Sequence, residues 1–215
     1  MALQYVLPLI DEGMQLRSMT VSFVAPLVAG EATAQRRILR QGKSVVQAQV
    51  ELWQDGQVAL VLLASFGVAR VSDVFLAAAT GHVTGDHPDG LVLPEGAAVP
   101  EFTQHFDYRI SQGGLPFSGV KSVDFGGCMR FRQHLAESQP AKQPQADLMQ
   151  LVALIDAWPP ATLPWLNRPA PASTLCWTLE FLTGELAATA TDWWSYLAHI
   201  DSAADGYGHI QAKIR

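Results

Sequence analysis

The chain carries little charge: Lys, Arg, Asp and Glu make up 16% of its 215 residues, against 49% apolar. That balance excludes a disordered chain, which needs high charge and little core material. Basic residues are fewer than acidic ones, 14 against 20, for a formal net charge of -6. No nucleic-acid partner is expected, because phosphate neutralisation needs clustered Lys and Arg. Cysteine is scarce. Cys128 and Cys176 have neither CxxC spacing nor zinc-site companions, so they read as free thiols in a reducing compartment and neither stands out as a nucleophile. The histidines at 82, 87, 105, 134, 199 and 209 show no HxxxH or HxH spacing, so neither a metal site nor a cofactor is expected. No apolar run is long enough to cross a bilayer. The opening MALQYVLPLIDEG lacks a basic flank and an A-x-A-like cleavage site and does not read as a signal peptide. Together these absences predict a soluble, cytoplasmic protein.

What is present is a pattern stated twice. Met19, Val21 and Phe23 alternate along LRSMTVSF, and Leu175, Trp177, Leu179 and Phe181 along TLCWTLEF, as side chains of half-buried strands do. Each follows a short helical stretch and leads into a meander, so the unit reads as α+β, a curved antiparallel sheet wrapped around one apolar helix. In the first copy, residues 2–10 read as the last turns of a helix that Pro8 ends or kinks. Strands are expected over 16–25, 31–40, 44–54 and 57–68, with Gln41-Gly42 and Asp55-Gly56 as the turns. In the second copy, strands are expected over 103–110, 127–133, 175–183, 193–203 and 207–214. A helix is expected over 144–158, where Leu148, Leu151, Val152 and Ile155 share one face and Pro159-Pro160 stops the run. An alanine-rich and then turn-rich stretch separates the copies, which gives domains at 1–71 and 101–215 and a linker at 72–100.

Three motifs stand close together in SMTVSFVAPLVAGEATAQRRILRQGKSVVQAQVELWQDGQ: F-x-x-P, R-x-G-K-S and the Q-D-G turn. LMQLVALIDAWPPATL, STLCWTLEF and DGYGHIQAKI follow in the second copy. On these residues, over most of 14–68 and 102–215, the chain resembles the double hotdog acyl-CoA thioesterases, the type II acyl-CoA hydrolase group. The resemblance implies two hotdog domains in tandem, an acyl-CoA substrate hydrolysed to free acid and coenzyme A, and association into homo-oligomers. It also implies a water-positioning set made of an Asp in the second helix, a Thr at the start of the following strand and a Gln in the final strand. The Asp matches Asp156 in LIDAWPP and the Thr matches Thr174 in STLCW; the Gln has no counterpart. The family's opening strand in the first hotdog and closing strand in the second are not found either, so the sequence is expected to be incomplete at both ends.

On position alone Asp156 reads as a solvated acid near a helix end. It sits, however, at the unfavourable end of the helix dipole, and Trp158 beside it could desolvate it towards the pKa of a useful base. Thr174 reads equally as a strand former or as a hydroxyl that holds water. Arg36, Arg37, Arg40 and Lys43 read as the wet face of a hairpin or as contacts to coenzyme A phosphates; an unbroken strand would put Arg36 and Arg40 on one face and Arg37 on the other. No nucleophile-elbow pattern such as G-x-S-x-G occurs, so no covalent intermediate is expected. Two other readings stay open on the residues: a hotdog hydratase or dehydratase acting on acyl thioesters, and a non-catalytic acyl-thioester binding or structural protein.

Overall fold

The computed structural model describes residues 2–76, 88–94, 99–132, 144–182 and 192–215, the side chains of 144–147 excepted. Most of the predicted linker, the histidines at 82, 87 and 134, and the expected strand ends at 133 and 183 lie outside the described residues. The chain divides into two compact units, Met1–Ala78 with Ser173–Leu186, and Ala79–Ala172 with Ala187–Arg215.

The first unit holds a five-stranded antiparallel sheet in the order β2-β3-β4-β1-β7. Its strands are β1 (Gln15–Phe23), β2 (Thr33–Gln41), β3 (Val45–Gln54), β4 (Gln57–Gly67) and β7 (Cys176–Glu180). The Asp55-Gly56 pair has φ of 50° and 76°, the double left-handed geometry of a type I′ hairpin, so the expected turn joins β3 to β4. Alternation does the rest: Val46, Ala48 and Val50 of β3 are buried, as are Met19 and Val21 of β1 and Leu62, Ala64 and Phe66 of β4. The 2–10 segment folds as two short 3₁₀ turns, Ala2–Tyr5 and Leu7–Leu9, with Pro8 inside the second. Leu3 and Val6 are buried where the first turn packs on β2, β3 and β4. β7, read from the sequence as the opener of the second copy, lies antiparallel to β1, the opener of the first, with Val21 opposite Trp177 and Met19 opposite Leu179.

The second unit holds a four-stranded antiparallel sheet in the order β5-β6-β8-β9. Its strands are β5 (Phe106–Gln112), β6 (Asp124–Phe131), β8 (Trp194–Ala204) and β9 (Tyr207–Ile214). Phe106–His105 marks a boundary that the sequence reading misses: residues 101–105 form a 3₁₀ turn and the strand begins only at Phe106. Asp205-Gly206, with φ of 54° and 82°, repeats the type I′ turn of the first unit. The helix Pro144–Ala157 lies against β6. Its deepest contacts are Leu151, Val152, Leu154 and Ala157, whereas Leu148 and Ile155 are only half-buried. The buried stripe is thus rotated from the expected one, because Trp158 just past the helix enters the core and draws Leu154 and Ala157 in with it. Each sheet carries helical packing on one face, and the fold is a tandem hotdog of the α+β class.

Candidate active site

Asp156 is the penultimate residue of the Pro144–Ala157 helix and is exposed, while its neighbours Ala157 and Trp158 are buried. Surrounding protein atoms still remove enough water from its carboxyl to raise its pKa above the ordinary carboxylate range, with desolvation as the cause. The helix end beneath it is held firmly. Trp158 stacks on Tyr196 at 4.5 Å and 10°, and meets Tyr108 and Phe125 edge-on at 5.8 and 5.7 Å. Such geometries suit the ring quadrupole and add about 0.5–1.5 kcal/mol per pair beyond burial. The Trp158 Nε1 has no hydrogen-bond partner among the described residues. Tyr108 and Tyr196 stay neutral: burial pushes the Tyr196 phenol up to about 12 and the Tyr108 phenol higher still.

Thr174 is exposed in the extended stretch two residues before β7 and belongs to the first unit, whereas Asp156 belongs to the second. The stretch is tied down next to it, since the Leu175 carbonyl accepts from Phe23 N–H at 2.9 Å. Further along β7, Thr178 and Thr20 share a hydroxyl contact at 3.2 Å and Trp177 stacks on Phe23 at 6.2 Å.

The basic run lies on β2 and divides differently from the sequence reading. A bulge at Leu39 shifts the register, so Arg36 opposes Val50 but Arg40 opposes Gln47, on the face that carries Arg37 and Gln49. Arg37 and Arg40 therefore share a face and Arg36 takes the other, the reverse of an unbroken strand. Arg36 donates to the Tyr5 carbonyl at 2.6 Å, and Arg37 donates twice to Gln49 Oε1 at 3.0 and 2.6 Å. Two of the three guanidinium groups thus serve the fold. Both cysteines are free; burial raises the Cys128 thiol pKa, which makes its thiolate scarcer.

The second unit also holds a cavity of about 560 Å³ along β5, with Leu93, Pro100, Phe106 and Tyr108 among its apolar walls and Asp107 and Arg132 among its charged ones. Asp107 takes Arg130 at 3.0 Å and Arg132 at 3.3 Å, and the guanidinium groups of Arg130 and Arg109 cover the Trp193 ring at 4.5 and 5.5 Å. Sequence reasoning missed this cluster. Its only trace is the alternation of charge through FDYR and RFR, which register alone converts into one charged face.

Two family models match the chain: an acyl-CoA thioesterase N-terminal domain over residues 1–67 and an acyl-CoA thioesterase C-terminal domain over residues 76–215. The chain belongs to the acyl-CoA thioesterase family. It is an enzyme, a thioester hydrolase, and its general reaction is the hydrolysis of acyl-CoA. No curated protein matches this thioesterase. Among solved structures it is similar to a conserved protein of unknown function with a hot dog fold from Alicyclobacillus acidocaldarius, at 21% identity and a TM-score of 0.77 over 99% of this chain and 77% of that one. Acyl-CoA thioesterase II TesB2 from Mycobacterium marinum gives 20% identity and a TM-score of 0.73 over 99% of this chain and 78% of its own. A putative thioesterase II from Thermobifida fusca gives 16% and 0.73 over 99% and 76%. At these identities the structures establish the fold. Among the described residues no helix is long and apolar enough to cross a membrane.

Proposed function

We propose that this thioesterase cleaves fatty acyl-CoA with water activated at Asp156 and steadied by Thr174. The ionised Asp156 accepts a proton from water while the water oxygen adds to the thioester carbon. The tetrahedral adduct then collapses: the carbon–sulfur bond breaks, the coenzyme A sulfur takes the proton back from Asp156, and free acid and thiol leave. The Thr174 hydroxyl, able both to donate and to accept, orients the water. One observation carries this reading: Asp156 is exposed, yet its carboxyl is desolvated enough to be a stronger base than an ordinary carboxylate. We further propose that the sequence repeats at 1–71 and 101–215 act as the two hotdog halves, that copies of the chain associate, and that the enzyme works in the cytoplasm, where two free thiols are stable.

The test is Asp156→Asn, assayed by thiol release across acyl-CoA chain lengths. The general base is lost while size is kept, so turnover should fall by about 100-fold or more. Thermal stability should stay level, because an exposed site away from the core moves folding by less than about 0.5 kcal/mol. Wild-type turnover in this variant would remove Asp156 from the chemistry.

A further inference from the structure

A helix leaves its last carbonyls unpaired, and they are usually capped by the N–H groups of the residues that follow. Here positions 159 and 160, which would serve the carbonyls of Ile155 and Asp156, are prolines with no N–H to give, so the helix end is poorly capped by its own backbone. The Ala157 carbonyl, next to Asp156, takes its hydrogen bond from elsewhere: the hydroxyl of Tyr108, on β5, donates to it at 2.9 Å inside the core. Tyr108 is 2% exposed and its ring meets Trp158 edge-on, so this donor reaches the helix end from a rigid strand and cannot easily be replaced by water.

We propose that Tyr108 is the positioning residue for Asp156: its hydroxyl caps the last carbonyl of the helix, next to Asp156, and so fixes the place and basicity of the carboxylate. The inference rests on the catalytic reading of Asp156. Its electrostatic part is direct. The carbonyls at a helix C-terminus carry negative partial charge that favours the protonated form of a nearby carboxyl, and a donated hydrogen bond weakens that field. Among the described residues, the titratable side chains that β5, β6 and β8 turn towards the helix are Tyr108 and Tyr196, which stay neutral. Asp107, Arg109, Asp124, Arg130 and His199 stand on the sheet's other face, as their register with one another shows, and the Asp156 shift comes from desolvation.

The experiment is a double-mutant cycle of Tyr108→Phe and Asp156→Asn, read as kcat and KM against pH with an acyl-CoA the wild type hydrolyses. Phe keeps the ring packing and removes only the donor. In the single Tyr108→Phe enzyme kcat should fall on the order of tenfold, the scale of a slightly misplaced catalytic group, with KM little changed. The base must be ionised to work, so the acid limb of kcat/KM should move to higher pH as the Asp156 pKa rises. On the Asp156→Asn background the Tyr108 substitution should cost nothing more. A Tyr108→Phe enzyme with wild-type kcat, with an unmoved acid limb, or with a loss that adds in full to that of Asp156→Asn would overturn the proposal. If Asp156→Asn alone hydrolyses at the wild-type rate, the underlying reading fails as well; if only Tyr108→Phe is silent, this inference fails by itself. Should Tyr108→Phe not fold, 3-fluorotyrosine at 108 keeps ring and hydroxyl while strengthening the donor. It should move the acid limb to lower pH, and an unmoved limb would refute the positioning role.

Discussion

On the proposed reading, Asp156 couples activity and stability to pH in opposite senses. As a base it works only when ionised, so kcat/KM should fall on acidification through a pKa above the ordinary carboxylate value, and this limb should vanish from whatever activity Asp156→Asn retains. For folding the sign reverses. A carboxyl whose folded pKa is raised holds its proton more tightly in the native state, so its contribution is present below the unfolded pKa and is lost as pH rises through the folded one. At neutral pH the Asn variant should therefore melt no lower than wild type, which calorimetry at two pH values would check. Thr174 gives a cleaner contrast because it is exposed. Thr174→Val keeps the branched shape a strand start favours and removes the hydroxyl, so stability should hold while kcat drops by about tenfold, the lower part of the range for a lost hydrogen-bonding group. Equal kcat in the two enzymes would leave Thr174 as a residue of the chain's course and nothing more.

At the scale of elements, the β5–β6 pair shows how tightly register is held. A bulge at Ser111 places Ile110 opposite Gly127 and Gln112 opposite Gly126. Gly127 has a φ of 155°, and a Cβ there would collide with the Arg109 carbonyl oxygen, so no other residue fits without moving β5. Gly127→Ala should cost about 2 kcal/mol or more by denaturant unfolding, as overpacked sites do. Gly206→Ala, in the β8–β9 turn with open space around it, should cost about 1 kcal/mol, the strain of a left-handed residue alone. Much of this layer was legible. Alternation located β1, β3, β4 and β9 to within a residue or two, because a strand with one wet face writes its period into the sequence. The Asp-Gly turns and the Pro159-Pro160 stop were legible for similar local reasons. The bulges in β2 and β5 were not, since a bulge is a property of two strands in register, and it was the β2 bulge that reversed the faces of Arg36 and Arg40. The candidate roles of Asp156 and Thr174 came only through resemblance. The Tyr108 bond to Ala157 spans 49 residues of sequence and leaves no local signal.

At the scale of the whole molecule, the proposed association of copies rests on the sheet edges. A free edge invites another strand unless something guards it. The β2 edge is guarded by its bulge and by Arg36, Arg37 and Arg40, and β5 by the bridge from Leu91 to Ile110. The edge strands β7 and β9 have neither a bulge nor a covering bridge among the described residues, and the β9 residues from Tyr207 to Ile214 are exposed or half-buried. Arg215 exchanges both backbone hydrogen bonds with Ser195 at 2.8 and 2.9 Å, so it faces β8, and the antiparallel alternation turns the N–H groups of Ile210, Ala212 and Ile214 to the open side. Association of copies through this edge predicts a dimer or larger species by light scattering at micromolar concentration. Ala212→Pro removes only an outward donor, a place where an edge strand tolerates proline. It should shift the population towards monomer while β8 and β9 stay paired, which amide exchange would report. A wild-type chain that elutes as a clean monomer over that range would rule out this edge as the contact, and an Ala212→Pro chain that stays oligomeric would place the contact on another surface.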